Sequence, residues 1–145
     1  MSWRAFEIYV DRHQDGYEIP LLKVSNSELV QAKLHKLKRN YQCSANLLRQ
    51  YTEKLLCKYL PPEKLVNKNC KELDLNGLLL GAIAFETAKP TKNQDIIDNL
   101  SKLQTYRRVM LNQASHASDA NIFSRELDDA IVTLGALEAL LTVFC

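Results

Sequence analysis

No glycine or proline interrupts residues 26–60. Within that stretch apolar residues recur at Val30, Leu34, Leu37 and Tyr41, then at Leu47, Leu48, Tyr51, Leu55, Leu56 and Tyr59. Steps of three and four are the helical period, so the stretch predicts one long helix, or two with a break near Asn40–Ser44. Ser25-Asn26-Ser27-Glu28 reads as a capping box at its start. Leu60-Pro61-Pro62-Glu63 ends it, because proline lacks an N–H and turns the preceding residue away from helical backbone.

Three further segments have boundaries of the same kind. Residues 63–73 are lysine-rich with few apolar anchors and read as a loop with one helical turn. Asp74 can cap a helix over 75–88, whose Gly77 and Gly81 suit close helix packing; Lys89-Pro90 stops it. Thr91-Lys92-Asn93-Gln94 is a second capping box, opening a helix to about residue 115. A last helix runs from about Ser124 to Phe144, with Leu127, Ala130, Ile131, Leu134, Leu137 and Leu141 on one stripe. Residues 1–24 differ. Phe6, Ile8 and Val10 alternate with polar neighbours, an Asp15-Gly16 turn follows, and Tyr17, Ile19 and Leu21 resume the alternation. That is the pattern of a β-hairpin. The expected fold is all-α, an up-and-down four-helix bundle over 25–145 with a small N-terminal β-hairpin over 1–24.

A chain of 145 residues, 46% hydrophobic and 25% charged, suits one globular domain and excludes disorder throughout. Its apolar runs are too short to span a bilayer, and its N-terminus carries no apolar signal-peptide core, so a cytoplasmic protein without membrane contact is expected. The four cysteines form no CxxC pair and have no histidine at zinc spacing; they read as reduced thiols, with no metal or cofactor site. The net charge of +2 hides an asymmetry. Residues 25–60 hold seven basic groups, among them Lys36 and Arg39, against two acidic ones, whereas residues 126–145 hold four acidic groups and no basic one. Such elements can attract each other or face separate partners.

The helix over 92–116 carries the chemistry. At 100° per residue, Ile96, Leu100, Leu103, Met110, Leu111 and Ala114 share one stripe of about 100°. Measured from Ile96, Ser115 lies at about 100°, Arg108 at about 120°, Asn112 at about 160° and His116 at about 200°. Arg108, Asn112 and His116 are successive i, i+4 neighbours on a polar face. Arg107, at about 20°, can lay its stem on the apolar side and carry its head outward. Arginine forks onto phosphate. Histidine moves protons near neutral pH. Serine and asparagine orient by hydrogen bonds. Beside an RNA phosphate this set suffices for metal-free cleavage. The same ladder near a helix end is also what a solvated face with a dipole-favoured histidine looks like. His13 and His35 are lone residues, assigned to turn and surface.

Arg107-Arg108-Val109-Met110-Leu111-Asn112-Gln113-Ala114-Ser115-His116, followed by Ser124-Arg125-Glu126-Leu127-Asp128-Asp129-Ala130-Ile131, resembles the end of HEPN domains, in particular those of bacterial phage-defence ATPase systems. Those carry an arginine-containing helix, an L-N-P-x-S-H stretch and a final helix opening with S-x-E-L. Ala45–Glu53 and Leu60–Glu63 resemble their first long helix and its exit. The resemblance covers roughly residues 30–144. It implies a helical bundle that pairs as a homodimer, two copies of an R-x4-6-H motif forming one composite ribonuclease site. His116 matches the motif histidine and Asn112 the polar residue before it. The strict pattern would place arginine at 111, where this chain has Leu111, and proline where it has Gln113; Arg108 stands one turn earlier.

Two functions follow as expectations. One is a metal-independent endoribonuclease of bacterial defence or toxin–antitoxin-type stress response. It would use Arg108, Asn112 and His116, with Ser115, Arg107, Lys36 and Arg39 holding RNA. The other is a non-catalytic dimerisation or docking module for an ATPase or antitoxin partner. The chain itself has no phosphate-binding G-x-x-x-x-G-K-[ST] loop.

Overall fold

The computed structural model of the chain describes residues 6–12, 18–24, 28–111 and 124–143, with side chains for 28–107 and 124–142. The described part is mostly helical. In chain order it contains strands β1 (Phe6–Arg12) and β2 (Glu18–Val24), helices α1 (Glu28–Leu37) and α2 (Tyr41–Tyr59), and a 3₁₀ turn (Pro62–Lys64). Helices α3 (Leu75–Thr87), α4 (Gln94–Leu111) and α5 (Ser124–Val143) follow. β1 and β2 pair antiparallel with Phe6 opposite Val24, Ile8 opposite Leu22 and Val10 opposite Pro20. No helix among the described residues is long and apolar enough to cross a membrane.

Burial of one apolar stripe per helix builds the core. On α5 the stripe expected from periodicity (Leu127, Ala130, Ile131, Leu134, Leu137 and Leu141) is buried throughout. Leu48 and Leu56 of α2, Leu75 and Leu79 of α3, and Ile96, Leu100 and Leu103 of α4 close against it. α2 is central and packs on α1, α3, α4 and α5, while α1 also touches α5.

Contacts along the helices give their directions, and these differ from the up-and-down order expected. Glu53 and Cys57 of α2 line one cavity with Leu78 of α3, and Tyr59 at the end of α2 packs on Phe85 at the end of α3. α3 therefore runs the same way as α2. The connection over 60–74 makes this possible: it carries the chain back along α2 through the 3₁₀ turn and a Val66–Glu72 bridge before α3 begins. α4 reverses, since Gln104 bonds Asn76 near the start of α3 while Asn93, just before α4, bonds Glu86 near its end. Glu28 pairs with Lys54, and the Ser44 hydroxyl donates to the Ala32 carbonyl, so α1 opposes α2. Tyr51 hydrogen-bonds Glu138, and Lys36, in the last turn of α1, pairs with Asp128 in the second turn of α5, so α5 runs with α2.

The described residues form five α-helices because the 26–60 stretch divides at residues 38–40. No glycine is needed there. Arg39 takes the left-handed backbone (φ 58°), its N–H reaches the Lys36 carbonyl at 2.9 Å, and the Asn40 N–H reaches that of His35 at 2.9 Å. This is a Schellman stop with arginine where glycine is usual. Asn40 then caps α2, its side chain accepting from the Cys43 amide. The division also reassigns the core face of α1. Leu29 and Ala32 are buried, whereas Val30, Leu34 and Leu37 of the expected stripe lie exposed. Asp74 caps α3 as expected, accepting from Gly77 N–H at 2.8 Å. α4 begins later than its expected capping box: Asn93, not Thr91, caps it, accepting from the amides of Asp95 and Ile96. The glycine pair of α3 is no packing seam, for a Cβ at Gly81 would meet nothing within 4 Å. Ser25, Asn26 and Ser27 lie outside the described residues.

Candidate functional site

Arg107 and Arg108 fall in the last turns of α4. Arg107 is half-buried, next to Tyr106, which packs on the core. The Arg108 side chain, and Asn112, Ser115 and His116, lie outside the described residues. Lys36 is paired with Asp128 and its side chain is only 19% exposed. A phosphate reaching Lys36 has to share it with that carboxylate. Arg39 is exposed in the turn after α1, and Lys38 beside it is exposed too.

The helix directions bring the ends of α1 and α4 and the starts of α2 and α5 to one end of the molecule. α4 ends there, α5 begins there, and the last turn of α1 meets the first turn of α2 there. Asn112, Ser115 and His116 belong to the 112–123 stretch that separates α4 from α5 in the sequence. The Lys36–Asp128 pair ties the basic end of α1 to the opening of α5. Basic and acidic segments of the sequence thus attract each other inside the fold, while Lys38 and Arg39 keep their charge at the surface. Arg125, exposed in the first turn of α5, adds a third cation.

The opposite end holds a cluster that sequence reading did not single out. Glu86 is 2% exposed. It accepts from the Tyr59 hydroxyl, from Lys89 Nζ at 2.7 Å and from the Asn93 N–H at 2.9 Å. Lys89 Nζ also donates to the Tyr59 oxygen at 2.9 Å and sits 4.8 Å from the ring centres of Tyr59 and Phe85. Burial alone would raise the Glu86 pKa, but the bonds from Lys89, Tyr59 and the Asn93 amide outweigh it and hold the carboxyl below its ordinary value. The Tyr59 hydroxyl is pushed up by burial and by Glu86. A cavity of about 280 Å³ opens beside the cluster, bordered also by Thr91 and Ile96. Every charged group in the cluster already has a protein partner, and the carboxylate fixes the first turn of α4 through Asn93. Its chemistry is that of a clamp joining α2, α3 and α4. The one hint in the sequence was Glu86, the only charged residue of α3, three residues before Lys89.

A second cavity, of about 370 Å³, is lined by Glu53, Cys57, Leu65, Glu72, Leu73 and Leu78. Burial, then the charges of Glu53 and Glu72, push the Cys57 thiol up, which disfavours the nucleophilic thiolate. Cys43, Cys57 and Cys70 are free and exposed. Among the described residues no group of three His, Cys, Asp or Glu side chains could hold a metal ion. No family model, no curated protein and no solved structure matches the chain.

Proposed function

We propose that this chain is an RNA-directed HEPN-like domain that works as a homodimer, with Arg108, Asn112 and His116 acting on a phosphodiester without metal. The supporting observation is the meeting of four helix ends. The exposed Lys38 and Arg39 stand at the same end of the molecule as the end of α4 and the start of α5. Cations beside a candidate Arg–His pair are what a phosphate backbone requires. The HEPN-like part of this reading rests on the resemblance at 107–131.

In the proposed reaction an imidazole takes the proton of a ribose 2′-hydroxyl. The 2′-oxygen then attacks the adjacent phosphorus, the bond to the 5′-oxygen breaks, and a second proton donor caps the leaving oxygen. The products are a cyclic phosphate and a free 5′-hydroxyl, so no metal or redox partner enters the balance. The guanidinium offsets the charge of the crowded phosphorane. Arg107 and Ser115 would orient the strand. A role in bacterial defence or stress response follows from the resemblance alone.

Fluorescence anisotropy with a labelled single-stranded RNA over a salt series tests the binding half. Lys38→Glu and Arg39→Glu should each weaken binding and flatten the salt dependence by about 0.7 per lost phosphate contact. Binding untouched by both substitutions would remove this end of the molecule as the RNA surface.

A further inference from the structure

Gln104 extends the polar ladder of α4 by one turn toward the core. It stands four residues before Arg108, as Arg108 does before Asn112 and Asn112 before His116. Counted from Ile96 at 100° per residue it lies at about 80°, between the apolar stripe and Arg108 at about 120°. Leu100 and Leu103, just before it on α4, are buried. Here the first turn of α3 reaches α4, and Gln104 Nε2 donates to Asn76 Oδ1 at 2.8 Å. That bond fixes the amide, whose other polar atom, Oε1, is buried with no donor among the described residues. Arg107, three residues on and half-buried, is among those that do not supply one. A buried carbonyl oxygen without a donor is destabilising, and native proteins keep few of them. Residues four apart on a helix are neighbours, and long side chains lean toward the helix N-terminus, over the turn before their own. For Arg108 that turn is the one holding Gln104.

We infer that Gln104 is the positioning residue of Arg108: its amide, anchored on α3 through Asn76, accepts one N–H of the Arg108 guanidinium and leaves the remaining donors for a phosphate. An arginine loses rotamer freedom when it grips a phosphate, and a standing bond to a fixed acceptor removes part of that loss beforehand. A carbonyl oxygen suits the task. It orients the guanidinium through a charge-assisted bond without neutralising it, as a carboxylate would. The chain of contacts then runs from the start of α3 through Asn76 and Gln104 to Arg108, so a cation near the end of α4 is set by the packing of two helices. Its catalytic meaning rests on the reading of Arg108 given above, whereas the bond itself is independent of RNA.

Nuclear magnetic resonance of the full chain with isotope-labelled arginine tests it. The side-chain N–H signals of Arg108 are those lost in Arg108→Lys. One of them should exchange with water at least about tenfold more slowly than the signals of the exposed Arg125. That protection should vanish in Gln104→Met and survive in Gln104→Glu, whose carboxylate can take the place of the amide oxygen. Gln104→Met and Arg108→Met should each lower the melting temperature, and the double change should lower it no further than the deeper single one. In RNA cleavage Gln104→Met should lower kcat at least about tenfold with KM within about twofold of native. Gln104→Glu should be impaired as well, because there the bond is kept and the charge cancelled. An Arg108 signal unprotected in the native chain, or protection unchanged by Gln104→Met, would overturn the positioning. RNA left intact by a native chain that shows the protected signal would overturn the ribonuclease reading and leave the Gln104–Arg108 bond standing.

Discussion

Replacing Glu86 by glutamine keeps the side-chain shape and removes the charge on which three elements converge. In the native protein that carboxylate accepts from the Tyr59 hydroxyl, Lys89 Nζ and the Asn93 amide while 2% exposed. Hydrogen bonds to a charged group contribute about 1.5–3 kcal/mol each, but not additively, and breaking a buried ion pair costs about 3–5 kcal/mol. Lys89 is partly exposed and can turn to water when its partner is neutral. Glutamine can still accept from the Asn93 amide. The expected loss is therefore about 2–3 kcal/mol, or about 5–10 °C in melting temperature for a chain of this size. The pH dependence has a definite sign. The folded-state pKa of Glu86 lies below its ordinary value of about 4.5, so its stabilisation is complete above that pH and fades as pH falls through the folded value. The gap between native and Glu86→Gln melts, followed by circular dichroism, should be constant near neutrality and shrink below about pH 4.5. Hydrogen exchange should meanwhile quicken at the first turn of α4. A loss under about 0.5 kcal/mol, or a gap that widens on acidification, would refute the clamp.

Other consequences are as direct. Arg39→Gly relieves a left-handed backbone position and should stabilise the protein by about 1 kcal/mol in chemical denaturation, while RNA affinity falls with the lost cation. Gly81→Ala, with open space around its new Cβ, should add about 0.5–1 kcal/mol. Cys57 should alkylate faster in a Glu53→Gln chain than in the native one at pH 8, by mass spectrometry, because one of the charges raising its pKa is gone.

What could be read in the sequence was whatever a single element decides for itself. The α5 stripe is strictly periodic and apolar, and all six of its expected residues are buried. Asp74 caps α3 through its own next turn. The misses arose where a second element decides. α1 has two faces that can serve as a core, and the choice of Leu29 and Ala32 over Leu34 and Leu37 is made by its contacts with α2 and α5, with Ser44 bonded to the Ala32 carbonyl. The division at Arg39 uses a non-glycine left-handed residue, which leaves no mark in the sequence. The parallel course of α2 and α3 depends on how the 60–74 connection folds back. The Glu86 clamp gathers partners 27, 3 and 7 residues away, so no local pattern announces it. For the candidate site, Arg107 is half-buried on α4, while Asn112, Ser115 and His116 lie outside the described residues. The joining of Lys36 to Asp128 became visible only in the packed helices.

The RNA assignment is tested most directly by incubating single-stranded RNA with the full chain in excess chelator and analysing the ends of any fragments. The account predicts cleavage that survives chelation, leaves cyclic phosphate ends, and disappears in His116→Ala and Arg108→Ala chains that melt like the native protein. Intact RNA with the native chain, or fragments undiminished by His116→Ala, would contradict it.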